Sequence, residues 1–95
     1  MNEHDFNAAL ATIRNESFEN TKLSTAQQVI ANNLLCINQI AQICQLFDFE
    51  NTKLDFAKRA YHRCTEKEQY YLLHSVFQFD NSKKELDRYV QQQQR

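Results

Sequence analysis

Glycine and proline are absent from this sequence. Glycine is the residue that lets a backbone crowd a ligand or turn through positive φ, and proline presets many tight turns. Their absence excludes Gly-rich phosphate loops and dinucleotide fingerprints, and it disfavours strand-rich folds. An excess of one charge is also lacking. Eleven Lys and Arg stand against 12 Asp and Glu, a formal net charge of −1 with both signs scattered. A dedicated nucleic-acid domain carries a basic stripe, and a membrane-surface anchor carries a basic cluster; neither is here. No apolar run approaches the roughly 20 residues of a spanning helix. The cluster from Leu34 to Ile37 is bounded by Asn and Gln, and the opening residues Met1 to Asp5 are polar and partly acidic, unlike a signal peptide.

Cysteine is scarce as well. Cys36, Cys44 and Cys64 cannot all pair. Cys36 and Cys44 fall on one expected helix, about 12 Å apart at helical rise and too far for a bridge. No Cys-x-x-Cys or paired Cys/His spacing occurs. The expectation is three small buried thiols in a reducing compartment, without a redox or metal role, and no cofactor.

The 95 residues are 42% hydrophobic and 24% charged, the range of one ordinary globular domain. Within them a short unit recurs. Phe18-Glu19-Asn20-Thr21-Lys22-Leu23 returns as Phe49-Glu50-Asn51-Thr52-Lys53-Leu54, and again, more loosely, as Phe79-Asp80-Asn81-Ser82-Lys83, at spacings of 31 and 30 residues. Thr21, Thr52 and Ser82 read as N-caps. Ser82 to Glu85, and with a shorter arm Thr52 to Asp55, have the spacing of a capping box, as does Thr65 to Glu68. Each unit thus reads as a connection followed by a helix start, with its Phe tucked under the new helix.

Between the connections, apolar residues return at helical spacing. The stripes are Phe6, Leu10, Ile13; Leu23, Ala26, Ile30, Leu34; Ile37, Ile40, Ile43, Phe47; Leu54, Ala57, Tyr61, Cys64; Tyr70, Leu73, Val76, Phe77; and Leu86, Tyr89, Val90. The fold expected is all-α, with about six short helices near 3–15, 21–34, 36–47, 52–64, 66–77 and 82–93. They form three helix–connection–helix repeats in one domain over 1–95, with repeat connections near 17–22, 48–53 and 78–83 and a frayed tail over 91–95. Such hairpins stack as a compact bundle or a short right-handed superhelix. Val29, Phe56 and Ala60 widen their stripes, as helices contacted on two sides require.

The recurring Phe-acid-x-hydroxyl-Lys-Leu, the run Gln39 to Phe47, Ala57-Lys58-Arg59-Ala60-Tyr61 and the closing Glu85-Leu86-Asp87-x-Tyr89 resemble the domain of unknown function 4476 family, from Phe6 to Val90. The resemblance implies a helical repeat fold of a kind found chiefly in bacterial proteins, often behind a signal peptide. It implies no reaction. This chain departs from the pattern at Leu35-Cys36, where a hydroxyl-bearing cap is expected, and at Lys84, which replaces the Leu of the first two units. Localisation stays open between a periplasmic or secreted setting and a cytoplasmic one.

Lys22, Lys53 and Lys83 each fall in the first turn of an expected helix, where a cation meets the positive end of the dipole at a cost of about 0.3–1 kcal/mol. One explanation is structural: each lysine lays its stem over the neighbouring Phe and pairs with Glu19, Glu50 or Asp80. The other is functional: the row Lys22, Lys53, Lys83 with Asn20, Asn51, Asn81 faces a partner. His4, His62 and His74 show no His-x-x-x-His spacing, and His62 and Cys64 fall on different faces. The acid pairs Asp48/Glu50 and Glu66/Glu68, and the adjacent His74 and Ser75, lack a partner arrangement for two-carboxylate or nucleophilic chemistry. No catalytic residue is expected. Phe47 and Phe49, and Tyr70 and Tyr71, cannot all point inward. The reading is a non-catalytic protein-interaction or assembly module. Its rivals are a structural spacer of a larger secreted protein and a ligand-binding or enzymatic domain with a pocket lined by His62, His74 or Cys64.

Overall fold

Asn2 opens the first helix: its side-chain oxygen accepts the Asp5 N–H at 2.7 Å, with Glu3 and Asp5 in the first turn and Arg14 in the last, as the helix dipole favours. A computed structural model describes residues 1–94. Among these the elements are α1 (Glu3–Arg14), α2 (Glu19–Asn32), α3 (Ile37–Cys44), α4 (Glu50–Ala60) with a 3-10 turn at Tyr61–Arg63, a longer 3-10 helix at Lys67–Val76, and α5 (Asp80–Gln93). No strand is present among the described residues beyond a single parallel bridge, Leu35 to Cys64.

The helices form two layers. α1 packs on α3 and α3 on the 3-10 helix; α2 packs on α4 and α4 on α5; α1 lies on α2 and α3 on α4 across the layers. Side chains fix the directions in the second layer. Glu19 at the start of α2 holds the turn before α4, and Arg63 just beyond α4 donates to Ile30 O and Asn33 O at the end of α2. Glu50 at the start of α4 holds the turn before α5, and His62 meets Gln93 at the far end. Like ends therefore adjoin, so α2, α4 and α5 run parallel. Lys58 and Glu85, 2.6 Å apart, tie the last two together.

The core sits around α3 and α4. Ile40, Ile43, Cys44, Phe56, Ala57 and Ala60 are fully buried, and Phe47 packs on Phe56 with ring centroids 5.8 Å apart. Leu54, Ala57 and Tyr61 mark one buried face of α4, Phe56 and Ala60 another, as a helix between two neighbours needs. The radius of gyration is 12.4 Å, matching the about 12 Å of a compact domain this long. The helices close into a compact body.

Three sequence expectations need correction. α2, α4 and α5 each begin two residues before the expected start. Their N-caps are Phe18, Phe49 and Phe79, with no side-chain cap, and the hydroxyls of Thr21, Thr52 and Ser82 lie inside the first turn. Leu34 leaves its stripe: α2 stops at Asn32, Asn33 is extended, and the bridge to Cys64 turns Leu35 into the core and Leu34 out. The expected helix at 66–77 is a 3-10 helix, ten residues long where runs of three or four are usual. Its buried residues Tyr70, Leu73 and Val76 recur at a strict three-residue spacing, which stacks them along one side of a 3-10 winding. The 91–95 tail is helical through Gln93, and Arg95 lies outside the described residues.

Candidate functional site

All three copies of the recurring unit lie along one edge, at the starts of α2, α4 and α5. In the first copy, Glu19 carboxylate oxygens accept the N–H groups of Asp48 at 3.0 Å and Phe49 at 3.0 Å. The ammonium of Lys22 donates to Leu46 O at 3.2 Å. The second copy repeats this one step along. Glu50 accepts from Gln78 N at 2.9 Å and Phe79 N at 3.1 Å, and Lys53 donates to Val76 O at 3.3 Å. Each acid and lysine pair therefore clamps the turn that opens the next copy.

The electrostatics of the clamp explain its residues. An acid at the first position of a helix is favoured by that helix's dipole. The lysine is disfavoured by its own helix but meets a carbonyl at the neighbouring element's C-terminal end, Val76 O for Lys53 and Leu46 O, just past α3, for Lys22, where the negative end of the dipole favours it. Burial pushes the Glu19 carboxyl up. The N–H groups of Phe49 and Asp48, the Thr52 hydroxyl and the Lys22 charge outweigh that and hold it below the usual carboxylate range.

Lys22 and Lys53 thus bind carbonyls of their own chain, and the lysine row expected from the sequence is not a free row. Lys83 differs: it reaches only Asp80, one turn back, at 3.6 Å. Asn20, Asn51 and Asn81 are exposed beside the clamps. Phe18, Phe49 and Phe79 do not tuck under their helices; they remain 74%, 63% and 60% exposed. The phenylalanines that do turn in are Phe47 and Phe77, two residues earlier. Residues two apart in extended backbone would share one side, so it is the turn before each helix that sends Phe47 and Phe77 inward and Phe49 and Phe79 outward. Tyr70 is likewise buried and Tyr71 exposed.

The remaining candidates disperse. His62 meets Gln93 at 3.0 Å; His74 meets Asp87 at 2.8 Å. The cysteines are free, Cys44 and Cys64 buried and Cys36 half-buried. No group of three or more His, Cys, Asp or Glu is arranged to hold a metal among the described residues. Two shallow grooves stand out. One, about 240 Å³, runs between the 3-10 helix and α5 along Tyr70, Tyr71, Leu86 and Val90; the other, about 280 Å³, is lined by Ile37, Asn38, Ala41, Leu72 and Ser75. Neither is lined by His62, His74 or Cys64. No helix is long and apolar enough to cross a membrane among the described residues.

No curated protein and no solved structure matches the chain. One family does, over residues 1–90: the chain belongs to the family described as Domain of unknown function (DUF4476).

Proposed function

We propose that this domain is a non-catalytic protein-interaction module, a short helical repeat that receives its partner along the edge where α2, α4 and α5 begin. The observation that carries this reading is the row Phe18, Phe49 and Phe79. A single exposed phenylalanine is ordinary surface. Three at the same position of three adjoining parallel helices, each forgoing the roughly 1.5–3 kcal/mol of full burial, form a pattern. Helices packed side by side lie about 8–10 Å apart, so the rings offer evenly spaced apolar anchors. Asn20, Asn51 and Asn81 supply hydrogen-bonding groups beside them, and Lys83 is the lysine of the expected row left for a partner. Lys22 and Lys53 serve by holding the edge in shape.

The test is affinity capture from source-cell extract with the native domain and with a Phe18→Ser, Phe49→Ser, Phe79→Ser variant. Exposed rings contribute little to folding, so the variant keeps native circular dichroism and melting. A protein held by the native domain and lost by the variant supports the edge. A protein held equally by both shows that binding occurs elsewhere, and none held by either removes the interaction reading.

A further inference from the structure

The clamps of the recurring unit leave one socket and one turn unmatched. The filled clamps are Glu19 with Lys22 on the 46–49 turn and Glu50 with Lys53 on the 76–79 turn. The third pair, Asp80 and Lys83, holds no turn among the described residues. The Asp80 side chain is 85% exposed, and among the described residues its carboxylate pairs only with Lys83, at 3.6 Å within the helix.

At the other end, the turn before α2 has the shape of the two clamped turns. Glu16 N–H bonds Ile13 O at 3.1 Å, as Phe47 bonds Cys44 O at 3.2 Å and Phe77 bonds His74 O at 3.1 Å. The residue after each turn shares its backbone: φ −114°, ψ 143° at Phe18; −108°, 139° at Phe49; −109°, 136° at Phe79. The Ser17 and Phe18 N–H groups, at the positions of Asp48 and Phe49, have no acceptor among the described residues.

The geometry points to head-to-tail assembly of this chain, in which Asp80 and Lys83 of one copy clamp the Asn15–Phe18 turn of a second copy. Asp80 accepts the Ser17 and Phe18 N–H groups, and Lys83 donates to the Asn15 carbonyl. The contact continues the one already made twice within the chain. The groove between the 3-10 helix and α5, lined in part by exposed Tyr71 and by no residue of α3 or α4, gives the incoming α1 a seat. Two features keep the contact weak. Asp80 is a methylene shorter than Glu19 and Glu50. α5 also carries Lys84, Asp87 and Gln91 where α2 has Leu23, Ala26 and Ile30 and α4 has Leu54, Ala57 and Tyr61. The contact joins different surfaces, so it adds copies in an open series. It shares Lys83 and the Phe18 turn with the edge of the proposed function but uses neither the phenylalanine rings nor an outside partner, so the two are tested separately.

The experiment is sedimentation of the purified chain from micromolar to millimolar concentration, with amide spectra along the same series. The weight-average mass rises with concentration, and the Ser17 and Phe18 amides shift as it does. Asp80→Lys abolishes both effects, and Asp80→Glu tightens association several-fold. Ser17→Pro, which deletes one donor, abolishes self-association too. A mixture of Ser17→Pro with Asp80→Lys, each silent alone, forms a dimer and nothing larger, since one supplies the socket and the other the turn. That pairing also proves both variants folded. A native chain that stays monomeric to millimolar concentration, association that survives Asp80→Lys, or a mixture that fails to pair although both variants keep native circular dichroism, overturns the proposal.

Discussion

A lysine in the first turn of a helix is out of place until its neighbour is considered. Lys22 and Lys53 each cap carbonyls at the end of the adjoining element, while Glu19 and Glu50 cap N–H groups at the start of the next helix. The third copy offers an internal control, because Asp80 occupies the same helix position with nothing to clamp. Truncating any of the three acids to Ala removes a favourable dipole contact worth about 0.3–1 kcal/mol. Only Glu19→Ala and Glu50→Ala also remove charge-assisted hydrogen bonds, so each costs about 1–2 kcal/mol more than Asp80→Ala in urea titrations. Equal losses at all three positions would mean the clamps contribute nothing beyond the dipole. Glu19 also predicts a pH dependence. Its folded carboxyl is lowered and its unfolded one ordinary, so its stabilisation is fully present above the usual carboxylate range and is lost as pH falls through the lowered folded value. The melting temperatures of native chain and Glu19→Gln therefore converge on acidification. A gap that holds or widens would place the pH response in other groups.

Among the elements, the 3-10 helix at Lys67–Val76 departs most from local preference. Ten residues wound this way cover about 20 Å instead of the about 15 Å of an α-helix. Its ends are tied at opposite edges: Glu66 accepts the Ile37 N–H at 3.0 Å, and Lys53 holds Val76 O. Midway, the buried Tyr70 hydroxyl donates to Ala57 O, and burial pushes its pKa up so that it stays a donor. Tyr70→Phe is expected to cost about 1 kcal/mol and to speed amide exchange in this segment more than in α4. Uniform acceleration across both would show that the hydroxyl supports only global stability. The sequence pattern located this element and the other helices because burial periodicity is local. It missed the winding because the contacts that stretch the segment come from Ala57, Ile37 and Lys53. The two-residue error at the starts of α4 and α5 has the same origin. Thr52 and Ser82 have the propensity of caps, but capping at Phe49 and Phe79 comes from acids 30 and 29 residues away. The candidate edge was half legible: the unit and its residues are plain in the sequence, whereas which lysines are committed and which rings face out depends on the neighbouring turn.

At the scale of the molecule, the question is whether three similar hairpins open one by one or together. α3 contacts α1, α4 and the 3-10 helix, so one from each hairpin meets at a single centre. Clamps, the Arg63 bonds and the Leu35–Cys64 bridge connect successive hairpins at both ends. Such connectivity predicts one cooperative unit rather than a row of independent repeats. The cysteines sample this directly. Cys44 on α3 is fully buried, which pushes its thiol up to about 12 despite the nearby Lys53. Cys64 is buried at the bridge and also raised, chiefly by burial. Cys36 is half-buried at the start of α3. Thiolate is the reactive form, so a thiol reagent modifies Cys36 in the folded state, whereas Cys44 reacts only through opening. If the molecule opens as one, Cys44 modification falls with the full global unfolding free energy and shows the full denaturant dependence of equilibrium unfolding. Glu19→Ala and Glu50→Ala then accelerate it in proportion to their measured loss of stability, although neither residue touches Cys44. Cys44 modification with a shallow denaturant dependence, or insensitive to Glu19→Ala, would show that the hairpins part locally and that the clamps bind neighbours without coupling the whole.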